Sequence, residues 1–211
     1  MLAVILTEQK NKNDKMNIEK QLKNIITTLT LFIGVIGFGQ GVEVQSEIKE
    51  DFSNYYKLIS EKKIDDALNY LNPKLFELIP REQMKNLMET VYKMPNIEYK
   101  TGIPTFLKFE ELKKIENENY VKFFIISPLE MKFKDIENTA EKISQMTKNF
   151  EMKFGAGNVK FDKESGFYKI NAEKIIIANS KNNLSEWKFV TVDNPKMKIL
   201  LEKIIPSELI N

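Results

Sequence analysis

At Met94-Pro95-Asn96 the spacing of apolar residues changes, and that change constrains the fold more than any other feature of the chain. Upstream, Ile48, Phe52, Tyr55 and Ile59 recur every three or four residues, which puts them on one face of a helix beginning after Ser46. Glu47, Lys49, Glu50, Asp51 and Lys57 then fall mostly on the side facing water. Ala67, Leu68 and Leu71 mark a second, short helix over Asp65 to Leu71, stopped by Asn72-Pro73. Pro80 opens a third that carries Met84, Leu87, Met88 and Val91.

Downstream of Asn96 the pattern suits strands. IEYKT is a short one, TFLKFEELKKI a longer one, and a polar turn at Glu116 to Asn119 leads into YVKFFIIS, whose β-branched and aromatic content implies burial. Helical spacing returns from Asp135 to Phe150, where Ile136, Ala140, Ile143, Met146 and Phe150 predict an inserted helix lying over the sheet. NVKFD, GFYKI, EKIIIAN and SEWKFVTVD supply further strands, and a closing helix spans Pro195 to Ile205. Helices followed by antiparallel strands on tight turns imply an α+β fold, with N-terminal helices packed on one face of a curved, mostly antiparallel sheet.

The stretch QLKNIITTLTLFIGVIGFGQG, Gln21 to Gly41, is of another kind. Ile25 to Phe38 carries no charge over 14 residues, short of the roughly 20 that span a bilayer. Lysines precede it and small residues follow, so it reads as a secretory signal peptide cut between Gly39 and Gln40. The expected organisation is a signal segment with an upstream extension over 1–39, Met16 being an alternative start, and one domain over 40–211. No stable membrane anchor remains after such processing, and without cysteine there is no site for a lipid anchor.

Five of the 32 basic and three of the 30 acidic residues lie in the first 40, so the rest of the chain is formally neutral. A neutral chain with one arginine, Arg81, lacks both the basic field and the bidentate guanidinium groups of a nucleic-acid partner. Histidine and cysteine are both absent. That excludes Ser-His-Asp and Cys-His catalysis, thiolate zinc sites and disulfides. Asp65-Asp66 suits the start of a helix rather than a metal. No cofactor motif is present: Gly155-Ala156-Gly157 lacks the context of a nucleotide loop, and Asn183-Leu184-Ser185 is a chance glycosylation pattern in an Asn-rich chain.

The segments DFSNYYKLIS, KIDDALNYLNPKLFELIP and SEWKFVTVD, in that order, resemble the NTF2-like, or cystatin-like cone, superfamily over Glu47 to Val192. The leader ending in Phe-Gly-Gln and the tail WKFVTVDNPKMKILLEKIIPSELI look like exported proteins of the Bacteroidetes type. These likenesses imply a cone-shaped domain, periplasmic or secreted, and select no activity, because the superfamily hosts enzymes, binding domains and transport adaptors.

Three functions follow, in order of preference. The first is a binding domain whose cone holds a small apolar or amphipathic ligand among Phe52, Tyr56, Tyr92, Phe124, Trp187 and Phe189. The second is an envelope interaction module, as a homodimer across the open sheet face or with a protein partner docked on the 135–150 helix. The third is an isomerase, dehydratase or hydrolase using Asp51 with Tyr55 or Tyr56. The simpler expectation for that trio is a core-filling Tyr55 and an Asp51 turned to solvent.

Overall fold

The computed structural model describes residues 41–181 and 184–210. The leader, its cut at Gly39 and Gln40, Met16 and Asn183 lie outside the described residues. The chain divides into Met1–Val44 and Gln45–Asn211. Of the first unit only residues 41–44 are described, and they are helical. The sheet and its covering helices belong to the second unit.

Helix α1 occupies residues 45–60 of this unit. Ile48, Phe52 and Ile59 of the expected stripe are buried, but Ser46 does not begin the helix, because residue 45 is already helical. The helix closes through Lys62 in the left-handed region (φ 60°), with the Lys63 N–H donating to the Leu58 carbonyl at 2.9 Å. Helix α2, Ile64–Leu68, is shorter than its sequence pattern implied. The chain leaves it because residues 70–72 pair with a strand: the Phe189 N–H donates to the Tyr70 carbonyl, and the Asn72 N–H to the Phe189 carbonyl. Asp65 and Asp66 occupy its first turn, and the Asp65 carboxylate pairs with Lys85 of α4, Arg81–Lys93. Between them lies α3, Leu75–Leu78, a single turn not anticipated from the sequence.

Among the described residues seven strands form one sheet in the order β1-β4-β6-β5, with β2 and β3 also on β4 and β7 also on β6. They are β1 Ile97–Thr101, β2 Thr105–Phe109, β3 Lys113–Ile115, β4 Glu118–Phe133, β5 Val159–Asp162, β6 Phe167–Ser180 and β7 Lys188–Thr191. All of these strand pairs are antiparallel. Several strand boundaries change, and SEWKFVTVD is strand only over Lys188–Thr191. TFLKFEELKKI is split into β2 and β3, and GFYKI with EKIIIAN is one continuous strand.

Strand β4 also runs beyond its expected end at Ser127, straight through Pro128. Its partner β6 does not need the missing N–H. In this ladder successive residues address alternate neighbours, and the Pro128 carbonyl accepts from the Gly102 N–H on the other side, where β1 and β2 leave a gap. The approach is close: a Cβ at residue 102 would lie 2.9 Å from Pro128 Cβ. Gly102→Ala is therefore expected to destabilise by about 1–3 kcal/mol through overpacking, read from the midpoint of urea unfolding; an unchanged midpoint would show that the 102–104 turn shifts freely.

In the β4–β6 register, running from Asn119↔Ser180 to Met131↔Tyr168, odd residues of β4 share a face with even residues of β6. On that face α1 covers Phe123 through Phe52. Farther along it lies α5, Ala140–Phe154, whose Met146, Phe150 and Phe154 pack on Tyr168, Ile170 and Ala172. This helix starts later than Asp135 because Thr139 caps it, its hydroxyl accepting the Lys142 N–H. The opposite face is not bare. Tyr120, Ile177 and Val190 are buried under Leu201, Ile204, Ile205 and Leu209. Helical segments thus lie on both faces, contrary to the one-faced expectation, because β7 carries buried residues of both parities, Phe189 and Val190. The tail that covers the second face is a 3-10 turn at Pro195–Met197, α6 at Lys198–Leu201 and α7 at Ser207–Ile210, not one helix.

Candidate functional site

Of the six candidate aromatics, three meet. Phe52 lies 5.0 Å from Tyr56 and 4.9 Å from Phe189, centroid to centroid. Phe106, Phe109 and Phe123 extend the cluster. Phe106 and Phe109 are an odd number of residues apart, so strict alternation would send them to opposite faces; the register shift between Phe106 and Lys108 restores both to one. Phe52 and Phe189 are packed solid. Tyr56 is half-buried, and its hydroxyl donates to Ser127 Oγ at 2.9 Å. Burial pushes its phenol up, the Ser127 contact opposes this, and the charge of Asp193 adds to the rise.

The other three are placed elsewhere. Trp187 is fully buried at the entry to β7, its indole N–H donating to the Leu184 carbonyl at 3.0 Å. Tyr92 packs with Ile59, Ile64 and Leu68. Phe124 belongs to the face opposite Phe123, with the Lys108 ammonium 5.8 Å from its centroid. Asp51 does not simply face solvent: its carboxylate accepts the Trp187 backbone N–H at 2.9 Å. Partial burial pushes its pKa up, against the lowering effects of that bond and of Lys188. Among the described residues no hydrogen bond joins Asp51 to Tyr55 or Tyr56.

A cleft of about 570 Å³ opens instead at the sheet edge, inside the roughly 300–1,000 Å³ range of small-molecule sites. Lys153 and Phe154 of α5, Ala172, Glu173 and Lys174 of β6, and Asp193, Asn194 and Lys196 line it. It exists because β5 pairs with β6 only as far as Ile170 and β7 only from Ile176. Its ends are closed by the Asn171 N–H on the Asn158 carbonyl and the Val192 N–H on the Ile175 carbonyl. Ala172 stands opposite Ser127 in the register, so the Tyr56–Ser127 bond lies beside the cleft floor. Lys174 is held by Asp193 at 3.6 Å, whereas among the described residues no carboxylate pairs with Lys153 or Lys196. Sequence reading missed this site, since it is made by where two edge strands stop.

It also missed a polar cluster at the far end of β4. One Glu118 oxygen accepts from Tyr120 and Asn179 at 2.9 and 3.2 Å, and the other faces Lys74 and Lys181, each at 3.3 Å. Buried Asn72 donates to Asn179 at 2.7 Å, which ties the α2–α3 connection into the cluster. Every Glu118 acceptor is engaged, so the cluster fastens elements together and leaves no group to react.

Among the described residues no three carboxylates gather to hold a metal ion, and no helix is long and apolar enough to cross a membrane. The chain is an α+β protein with an open antiparallel sheet, helical cover and an edge cleft. Comparison with protein-family models and with curated proteins yields no match.

Proposed function

We propose that the chain is an exported, non-catalytic binding domain of the NTF2-like cone type, and that its ligand is a small amphipathic molecule held in the edge cleft. The observation that carries this reading is the mixed lining: the half-buried Phe154 ring offers apolar surface beside lysine ammonium groups. Few precisely placed polar groups on an apolar wall are what orient a ligand of that kind. Helix α1 on the β4–β6 pair supports the cone, and the lysine-flanked, uncharged leader with its small-residue exit supports export.

Native mass spectrometry on protein purified from its own host tests both parts. The expected result is a chain starting at Gln40 that carries an added mass lost on denaturation. Lys174→Trp, which places a large ring in the cleft at a partly exposed position, is expected to abolish the adduct while leaving the melting temperature within a few degrees. A chain retaining its leader would overturn export. An absent adduct, or one that persists in the Trp variant, would overturn the cleft as the binding site.

A further inference from the structure

We propose that the cleft recognises a secondary amide followed by a carboxylate, the chemistry shared by an N-acylated amino acid and the C-terminal end of a peptide. The inference rests on the binding reading above and deepens it. Its basis is the backbone of β6. Asn171 and Ile175 turn their bonding groups away from β4, toward Asn158 and Val192. Residues of a strand alternate in this respect, so Glu173, midway between them, also directs its N–H and C=O outward. No strand stands there to meet them, since β5 and β7 have both stopped. Glu173 thus presents one donor and one acceptor into the cleft, the arrangement that a single extended amide satisfies by donating to one and accepting from the other.

The gap fixes the size of the guest. Ala172, Glu173 and Lys174 span about 10 Å at the usual rise of a strand, enough for one amide and the groups on either side of it. Charge fixes its sign. Asp193 is engaged by Lys174, and the Glu173 side chain shares the face of Ile126, opposite to that of Lys174. Lys153, whose ammonium lies 5.1 Å from the Phe154 centroid, and Lys196 are the cations left to meet an anion, and Phe154 beside them offers a surface to an apolar substituent. A lone fatty acid would satisfy the lysines and leave the Glu173 groups unmet; a neutral amide would do the reverse.

The test is titration of the folded protein, followed by amide chemical shifts and calorimetry, with four probes: N-acetyl-dialanine as free acid, its C-terminal carboxamide, N-decanoylalanine and decanoate. The expected result is saturable binding of at least one amide acid, with the Glu173 amide among the resonances that move. Affinity is expected to fall about tenfold or more for the carboxamide, for decanoate and for a Lys153→Gln/Lys196→Gln variant. Tighter binding of N-decanoylalanine identifies an acylated amino acid as the source, and tighter binding of the dialanine acid identifies a peptide end. Glu173→Pro removes the donor that faces the gap without touching a bond to β4, and is expected to abolish binding of both. Decanoate binding as tightly as the amide acids would overturn the inference and leave the binding reading intact. Failure of all four probes, or unchanged affinity in Glu173→Pro, would overturn it as well, while the adduct measurement decides the binding reading separately.

Discussion

Phe52→Ala is expected to lower the stability of the folded unit by about 3–5 kcal/mol, the usual range for truncating a fully buried aromatic. Phe52 is 1 % exposed and projects from α1 into five rings. It meets Phe123 and Phe189 edge-on, at interplanar angles of 89° and 79°, a geometry that adds about 0.5–1.5 kcal/mol per pair beyond area burial. Those two rings come from β4 and β7, so one side chain joins α1 to both flanks of β6. Collapse around the missing ring is limited because neighbours on three separate elements cannot all move inward. Equilibrium urea unfolding reads the loss. Phe52→Leu, which keeps more volume, should lose less than half as much, and a loss below about 1 kcal/mol in the alanine variant would mean that the cluster repacks.

The second large effect belongs to Glu118. Glu118→Ala is expected to cost about 2–4 kcal/mol at pH 7, since it leaves the Tyr120 and Asn179 donors without their acceptor, while the exposed ammonium groups of Lys74 and Lys181 return to water. The carboxylate is mostly buried, with 15 % of its side chain exposed. Burial acts to raise its pKa, but donation by Tyr120 and Lys181 and the charge of Lys74 outweigh this, and the net shift is downward. A carboxylate whose pKa is lower in the folded than in the unfolded state stabilises the fold above its unfolded value, about 4.3. That contribution is lost as pH falls through the folded value. Unfolding midpoints of wild type and Glu118→Gln should therefore differ at pH 7 and converge as the medium is acidified below pH 4. A gap that is constant with pH would assign the loss to packing rather than to charge.

The order and type of the main elements were legible because each carries its own period: Ile48, Phe52 and Ile59 at helical spacing, Val121, Phe123 and Ile125 at strand spacing. Boundaries failed where tertiary pairing overrides local signals. Pro128 looks like a stop, and is harmless only because of the gap between β1 and β2 that faces it. Asn171-Ala172 looks like a break, and is continuous because β4 lies alongside without interruption. Lys198 to Ile205 has helical spacing, yet the chain bends to place Leu201, Ile204, Ile205 and Leu209 on the second face. The aromatic meeting of Phe52, Tyr56 and Phe189 followed from their being large and apolar. Nothing local separated them from Tyr92 and Phe124, whose places depend on α4 and on strand parity. The cleft was illegible for a deeper reason: it is made by where β5 and β7 stop along β6, and no residue lining it carries a signal of that.

The two longest strands, β4 and β6, both lie inside the sheet. Apart from the gap along β6 at Ala172 to Lys174, short strands form its margins, and they carry Lys100, Lys108, Lys113, Lys114, Lys160 and Lys188. Residues 70–72 cap part of β7 as well. Sheets with long uncovered apolar borders template their own kind and grow into aggregates, and short, charged borders suppress that growth. The opening at Glu173 follows the same logic, for a vacancy of three residues is too short to seed the strand of another molecule.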